Sequence, residues 1–213
     1  MSIFFALCSN RLLWSAILAG RDPASTHTWL MGATVLAMLV ALNFLVIAPF
    51  LTRRSAKPLL GVLLVATAVA TYFMDRYKVY LDPGMLRNVL ATDPREAGDL
   101  LAWSLLPHLL LFAGLPIWLL ARVRIGKRPL RRALAFRIGT LGLAALVFAV
   151  AAILNYQELA ALMRNNKELR YLATPGNYLY SLGRATVGTA RANLSERAPL
   201  GGDVARGGSW EKR

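Results

Sequence analysis

Asn88, Thr92 and Glu96 stand four residues apart in the segment Asp82-Pro83-Gly84-Met85-Leu86-Arg87-Asn88-Val89-Leu90-Ala91-Thr92-Asp93-Pro94-Arg95-Glu96. On one continuous helix each four-residue step turns the face by about 40°, so an amide, a hydroxyl and a carboxylate would form a polar stripe. Such a set suits a zwitterionic head group: the carboxylate accepts from an ammonium, while the amide and the hydroxyl donate to phosphate oxygens. The same residues also have a purely local reading. Pro94 disrupts an uninterrupted helix, and Asp93-Pro94-Arg95-Glu96 reads as a helix start, with Asp93 as N-cap and Glu96 closing a capping box. Glu96 would then serve its own backbone, and Thr92 would end the previous turn. No catalytic or metal-ligating set is expected elsewhere. The single cysteine, Cys8, excludes an intrachain disulfide and a Cys-based metal site, and the two histidines, His27 and His108, show no ligand spacing. His108 lies inside an apolar run, where an imidazole bonded within a helix bundle competes with one lining a polar interior.

The elements that must position these residues are set by four charge-free apolar runs, Trp29–Leu51, Pro58–Met74, Leu100–Ala121 and Ile138–Leu154. A helix needs about 20 residues, with a range of roughly 17–25, to cross the hydrocarbon core. The runs lack the two-residue alternation of a barrel, and in lipid only helices and closed barrels satisfy their own backbone. A composition of 56% hydrophobic residues with a mean hydropathy of +0.46 agrees. The expected fold is all-α: a polytopic transmembrane helical bundle with four clear spans, a marginal or truncated N-terminal one, and outer amphipathic helices.

The net charge of +14 would point to nucleic acid in a soluble protein. Here its layout argues otherwise, and no nucleic-acid partner is expected. Arg53, Arg54 and Lys57 follow the first run, and Arg122, Arg124, Lys127, Arg128, Arg131, Arg132 and Arg137 follow the third, with no acid among them. The positive-inside rule therefore puts loops 52–57 and 122–137 in the cytoplasm, and 75–99 and 155–213 outside. Residues 1–20 are apolar but interrupted by Asn10 and Arg11, and an arginine near a helix centre costs about 2.5–3.5 kcal/mol on insertion scales. They read as an interfacial helix or as the outer part of a spanning helix whose beginning is missing, which would put Asn10 and Arg11 near the outer surface.

Beyond the last run, Asn155–Leu172 is helix-competent and amphipathic, and Thr174-Pro175-Gly176-Asn177 breaks it. Tyr178–Asn193 could form another helix, with Tyr178, Leu179, Tyr180 and Leu182 dipping into the membrane interface. From Pro199 the chain is Gly-rich and polar, a linker composition. The expected organisation is a transmembrane domain over 1–154, periplasmic bridging helices over 155–198, and a flexible linker over 199–213 to an absent catalytic domain.

The 82–96 segment resembles the outer loop of the lipid A phosphoethanolamine transferases, inner-membrane enzymes linked to polymyxin resistance. A second stretch, Asn165-Asn166-Lys167-Glu168-Leu169-Arg170 followed by Thr174-Pro175-Gly176-Asn177, is similar to the segment joining that family's membrane and periplasmic domains. The resemblance implies a five-helix membrane domain followed by an alkaline-phosphatase-like periplasmic domain. In that domain a zinc-supported threonine takes phosphoethanolamine from phosphatidylethanolamine and passes it to lipid A. It also implies that Asn88, Thr92 and Glu96 help bind the lipid head group, positioning the donor near the nucleophile. The chain departs from the pattern in having no Gly-Glu-Thr turn and no Asp/His cluster able to hold zinc. The expectation is a membrane module that anchors and presents the lipid donor without catalysing transfer, with zinc confined to the absent domain. The alternative is a free-standing small inner-membrane accessory or scaffold protein.

Overall fold

Helices that are apolar on every face cannot stand in water, and the sequence makes two of the longest ones so. A computed structural model describes residues 1–79, 81–92, 103–124, 126, 129–165, 173–181 and 183–184, with helices as the regular elements among them. In chain order these are α1 (Ser2–Cys8), α2 (Arg11–Leu18), α3 (Thr26–Ile47, continued by the 3-10 turn Ala48–Phe50), α4 (Ala56–Tyr77) and α5 (Pro83–Ala91). Then come α6 (Leu105–Arg122), α7 (Leu130–Leu154), α8 (Tyr156–Asn165) and a short helix α9 at 176–181. Four are long and apolar enough to cross a membrane: Thr26–Phe50, Ala56–Tyr77, Leu105–Arg122 and Arg131–Leu154. In the last of these only 6% of the apolar window is buried, although it packs along α3. Lipid must cover the remainder, so the chain is a multi-pass membrane protein.

Local chemistry explains where the helices bend and stop. Pro116 has no N–H and crowds the carbonyl four residues back, and α6 absorbs this with a π-turn over Leu110–Gly114. Pro107 sits in the first turn of α6, where a missing N–H costs nothing. Lys78 ends α4 in the left-handed conformation, at φ 53°. Asp82 caps α5, its Oδ1 accepting from the Met85 N–H at 2.6 Å.

The basic residues assigned to the cytoplasm gather at one end of the bundle. Arg137 of α7 donates to the carbonyls of Ala48, Pro49 (2.7 Å) and Leu51 (2.9 Å), satisfying the exhausted C-terminus of α3. Lys57 of α4 donates to the Ala121 carbonyl at the end of α6, at 2.8 Å. The topology charges thus also close helix ends.

Residues 1–20 form a helix broken at Ser9 and Asn10. Phe5 packs with Ile47, Leu60, Leu63, Leu64 and Ala113 in a lower core, whereas Ala6, Leu13 and Ile17 pack with Met31, Val35, Leu39, Met74 and Leu81 in an upper one. The segment runs along the bundle, antiparallel to α3. Asn10 is 1% exposed, at the break between α1 and α2. Interrupting a helix at this depth frees carbonyls that only protein groups can satisfy. Asn10 Nδ2 donates to the Phe5 carbonyl (2.6 Å), Trp14 Nε1 to Ala6 (2.9 Å) and Thr174 Oγ1 to Ser9 (2.8 Å).

Candidate functional site

The end of the bundle opposite Arg137 and Lys57 carries α5, the α8 start and the 173–181 segment. Asn88 is exposed in the last turn of α5, which ends at Ala91. Thr92 follows as an extended cap with ψ 133°, and its hydroxyl donates to the Asn88 carbonyl at 2.8 Å. The structure therefore brings Asn88 and Thr92 together, but the helix they share does not run on through Thr92. Glu96 lies outside the described residues, as does the Asp93-Pro94 start beside it. In this geometry the Asn88 amide is the free donor of the pair. The Thr92 proton is committed to backbone, which leaves its oxygen as an acceptor.

Residues 173–181 press into the bundle beneath this platform. The Asn10 side chain donates to the Thr174 carbonyl (3.0 Å) and accepts from the Thr174 N–H (2.7 Å). The Tyr178 hydroxyl meets Thr67 Oγ1, in the middle of α4, at 2.8 Å. Ser181 Oγ donates to the Leu81 carbonyl at 2.8 Å, just ahead of α5. Burial pushes the Tyr178 phenol up to about 12, so it remains a neutral hydroxyl at ordinary pH. The sequence pattern places Tyr178 and Leu179 in the interface. Instead Tyr178 packs against both cores and Leu179 against the lower one, because Thr67 offers the phenol a polar partner inside the bundle. Leu182 and 185–193, which complete that pattern, lie outside the described residues.

The start of α8 is clamped to the α2–α3 corner. Glu158 pairs with Arg21 at 2.8 Å and with His27 at 3.3 Å, and Asn155 Oδ1 accepts from Thr34 of α3 at 3.0 Å. The described part of the expected 155–172 helix spans Tyr156–Asn165; Leu169 and Leu172 lie outside it.

A small recess of about 90 Å³ lies between the α1–α2 break, the last turns of α4 and the start of α6. Arg11, Thr71, Asp75 and His108 line it, together with the apolar Leu12, Met74 and Phe112. His108 is held by Thr71 Oγ1 (3.3 Å from Nε2) and by the Phe112 ring (centroids 4.5 Å apart). Sequence reasoning named His108 and Arg11 singly. It missed their meeting with Asp75, because that depends on where the first helix breaks. Among the described residues no three His, Cys, Asp or Glu side chains come together.

A family model described as phosphoethanolamine transferase EptA/EptB matches residues 39–189, well over half of the chain. The chain belongs to this family. It is similar to the phosphatidylethanolamine transferase Mcr-2 of Escherichia coli, at 26% identity over 184 residues, covering 86% of this chain and 34% of that protein. It is 33% identical to Mcr-1 of Escherichia coli over 134 residues, covering 62% of this chain and 24% of that one. Phosphoethanolamine transferase EptA of Escherichia coli K12 is 28% identical over 83% of the chain and 32% of its own length. The chain thus spans between a quarter and about a third of these relatives, and it falls within the membrane N-terminal domain of the family. Its fold matches that of the integral membrane protein lipooligosaccharide phosphoethanolamine transferase A from Neisseria meningitidis, with a TM-score of 0.81 at 22% identity over 90% of this chain and 36% of that one.

Proposed function

We propose that this chain is the bacterial inner-membrane module of a phosphoethanolamine transferase that binds the head group of phosphatidylethanolamine at its periplasmic face, for transfer to lipid A. The observation that carries the reading is the α5 platform. A capped helix at the end opposite the basic loops carries an exposed Asn88 in its last turn, and the Thr92 hydroxyl bonds the Asn88 carbonyl. The amide donates to a phosphate oxygen, the Thr92 oxygen accepts from the ammonium, and Glu96 adds the carboxylate that neutralises it. These groups position the donor and do not break its bond.

Two measurements test this. Binding of phosphatidylethanolamine to the chain in lipid nanodiscs should weaken on Asn88→Ala and on Glu96→Ala, whereas unchanged affinity leaves those residues only their local capping roles. A transfer assay with labelled phosphatidylethanolamine on the same chain should show no turnover. Turnover would place the nucleophile within these 213 residues.

A further inference from the structure

The recess at the α1–α2 break is lined by two opposite charges, Arg11 and Asp75. Arg11 is exposed and Asp75 half-buried, and among the described residues neither comes within 4.0 Å of an ion-pair partner. Both line the same recess, together with the Thr71 hydroxyl and the His108 imidazole. Ionisable side chains within a membrane helix bundle are costly, and they commonly mark a functional site.

Depth and surroundings limit what that is. Asp75 lies two residues before the end of α4, and His108 in the first turn of α6, so the recess lies near the helix ends opposite the basic loops. Its mouth is bounded by the exposed Cys8 and Arg11, and the chain neighbours Leu7 and Leu111 are exposed apolar side chains of the lipid-facing surface. A ligand entering there comes from the outer leaflet and brings acyl chains. Thr71 donates to the Thr67 carbonyl at 2.9 Å, and its Oγ1 lies 3.3 Å from His108 Nε2. The Asn10 side chain is turned to Phe5 and Thr174, so the first turn of α2, whose Arg11 and Leu12 line the recess, has no side-chain cap. Arg11 thus brings donors and Asp75 a carboxylate acceptor to the same recess.

We propose that this recess is a second lipid site, separate from the α5 platform, which takes the zwitterionic head group of an outer-leaflet phospholipid with its phosphate at Arg11 and its ammonium at Asp75. The recess carries one formal positive and one formal negative charge, which suits a head group of zero net charge better than an anionic one. The bound lipid would fill the gap between the broken first helix and the α4–α6 pair.

The test uses the whole chain in detergent, with lipids counted by native mass spectrometry and affinities measured with short-chain phosphatidylethanolamine. Wild type should hold two such lipids. Arg11→Gln and Asp75→Asn should each remove one and lower that site's affinity about tenfold, while Arg11→Lys keeps it. Asn88→Ala should remove the other lipid and leave this one, so failure at α5 is distinguished from failure at the recess. Short-chain phosphatidylglycerol should bind the wild-type recess weakly and the Asp75→Asn recess better. Glycerophosphoethanolamine, the head group without chains, should not compete; if it does, the site serves a soluble zwitterion and the lipid assignment falls. Helicity and elution volume confirm that each variant folds. If folded Arg11→Gln and Asp75→Asn both retain two lipids at wild-type affinity, the proposal is wrong.

Discussion

Asn10 and Thr174, 164 positions apart, bond each other in both directions: the amide donates to the Thr174 carbonyl at 3.0 Å, and its oxygen accepts from the Thr174 N–H at 2.7 Å. With the Asn10 bond to Phe5, this one side chain ties together the backbones of two segments within the bundle. Asn10→Ala removes the bonds to the Phe5 and Thr174 carbonyls and to the Thr174 N–H together. Each buried hydrogen bond contributes about 0.5–1.5 kcal/mol net, so this variant should lose more thermal stability in detergent than Tyr178→Phe, Thr67→Val or Glu158→Gln. It should also expose the 173–181 segment to proteolysis. Equal protease resistance in the variant and wild type would mean that the Thr174 bonds do not hold that segment down.

Tyr178 and Thr67 give a pairwise test of the same insertion. Their hydroxyls meet at 2.8 Å, and interhelical hydrogen bonds in membranes average about 0.6 kcal/mol, with a maximum near 1.7. Tyr178→Phe and Thr67→Val should each destabilise by about this much. The double variant should lose less than the two together, since either change alone already breaks the bond. Additive losses would show that each hydroxyl acts through another partner.

How much of the fold is legible in the sequence depends on distance along the chain. The four spans are readable because membrane insertion is decided by each segment alone: length and apolarity suffice. The sidedness follows from Arg53 to Lys57 and from Arg122 to Arg137 for the same reason, although nothing in those runs reveals that Arg137 and Lys57 cap α3 and α6. The Asp82 cap of α5 is likewise a local matter. Asn10 is the residue that cannot be read. A lone amide in an apolar segment looks like a surface residue until its partner, Thr174, is known, and that partner comes from beyond the last span. The stripe of Asn88, Thr92 and Glu96 is half legible. Four-residue spacing places Asn88 beside Thr92, but it assumes a continuous helix, and the helix stops at Ala91.

Lys78 offers a gain of stability. It holds the left-handed conformation, at φ 53°, where any side chain with a Cβ is strained by about 1 kcal/mol and glycine is not. Lys78→Gly should therefore raise the melting temperature modestly, or leave it level if the greater freedom of glycine in the unfolded chain offsets the relief. A clear loss would show that the Lys78 side chain contributes contacts of its own at the end of α4.

Glu158 joins α8 to the corner between α2 and α3, through Arg21 at 2.8 Å and His27 at 3.3 Å. The Arg21 and Glu158 side chains are 23% and 29% exposed, so water and salt screen the pair, and its contribution should stay within about 1 kcal/mol. Glu158→Gln should destabilise slightly at low ionic strength and hardly at all in high salt. Its larger effect should be positional: with the clamp gone, α8 is held to α3 chiefly by the Asn155–Thr34 bond. Spin labels on α3 and α8 should then report a broader distance distribution in Glu158→Gln than in wild type. An unchanged distribution would mean that Asn155 alone fixes the angle at which the chain leaves the membrane.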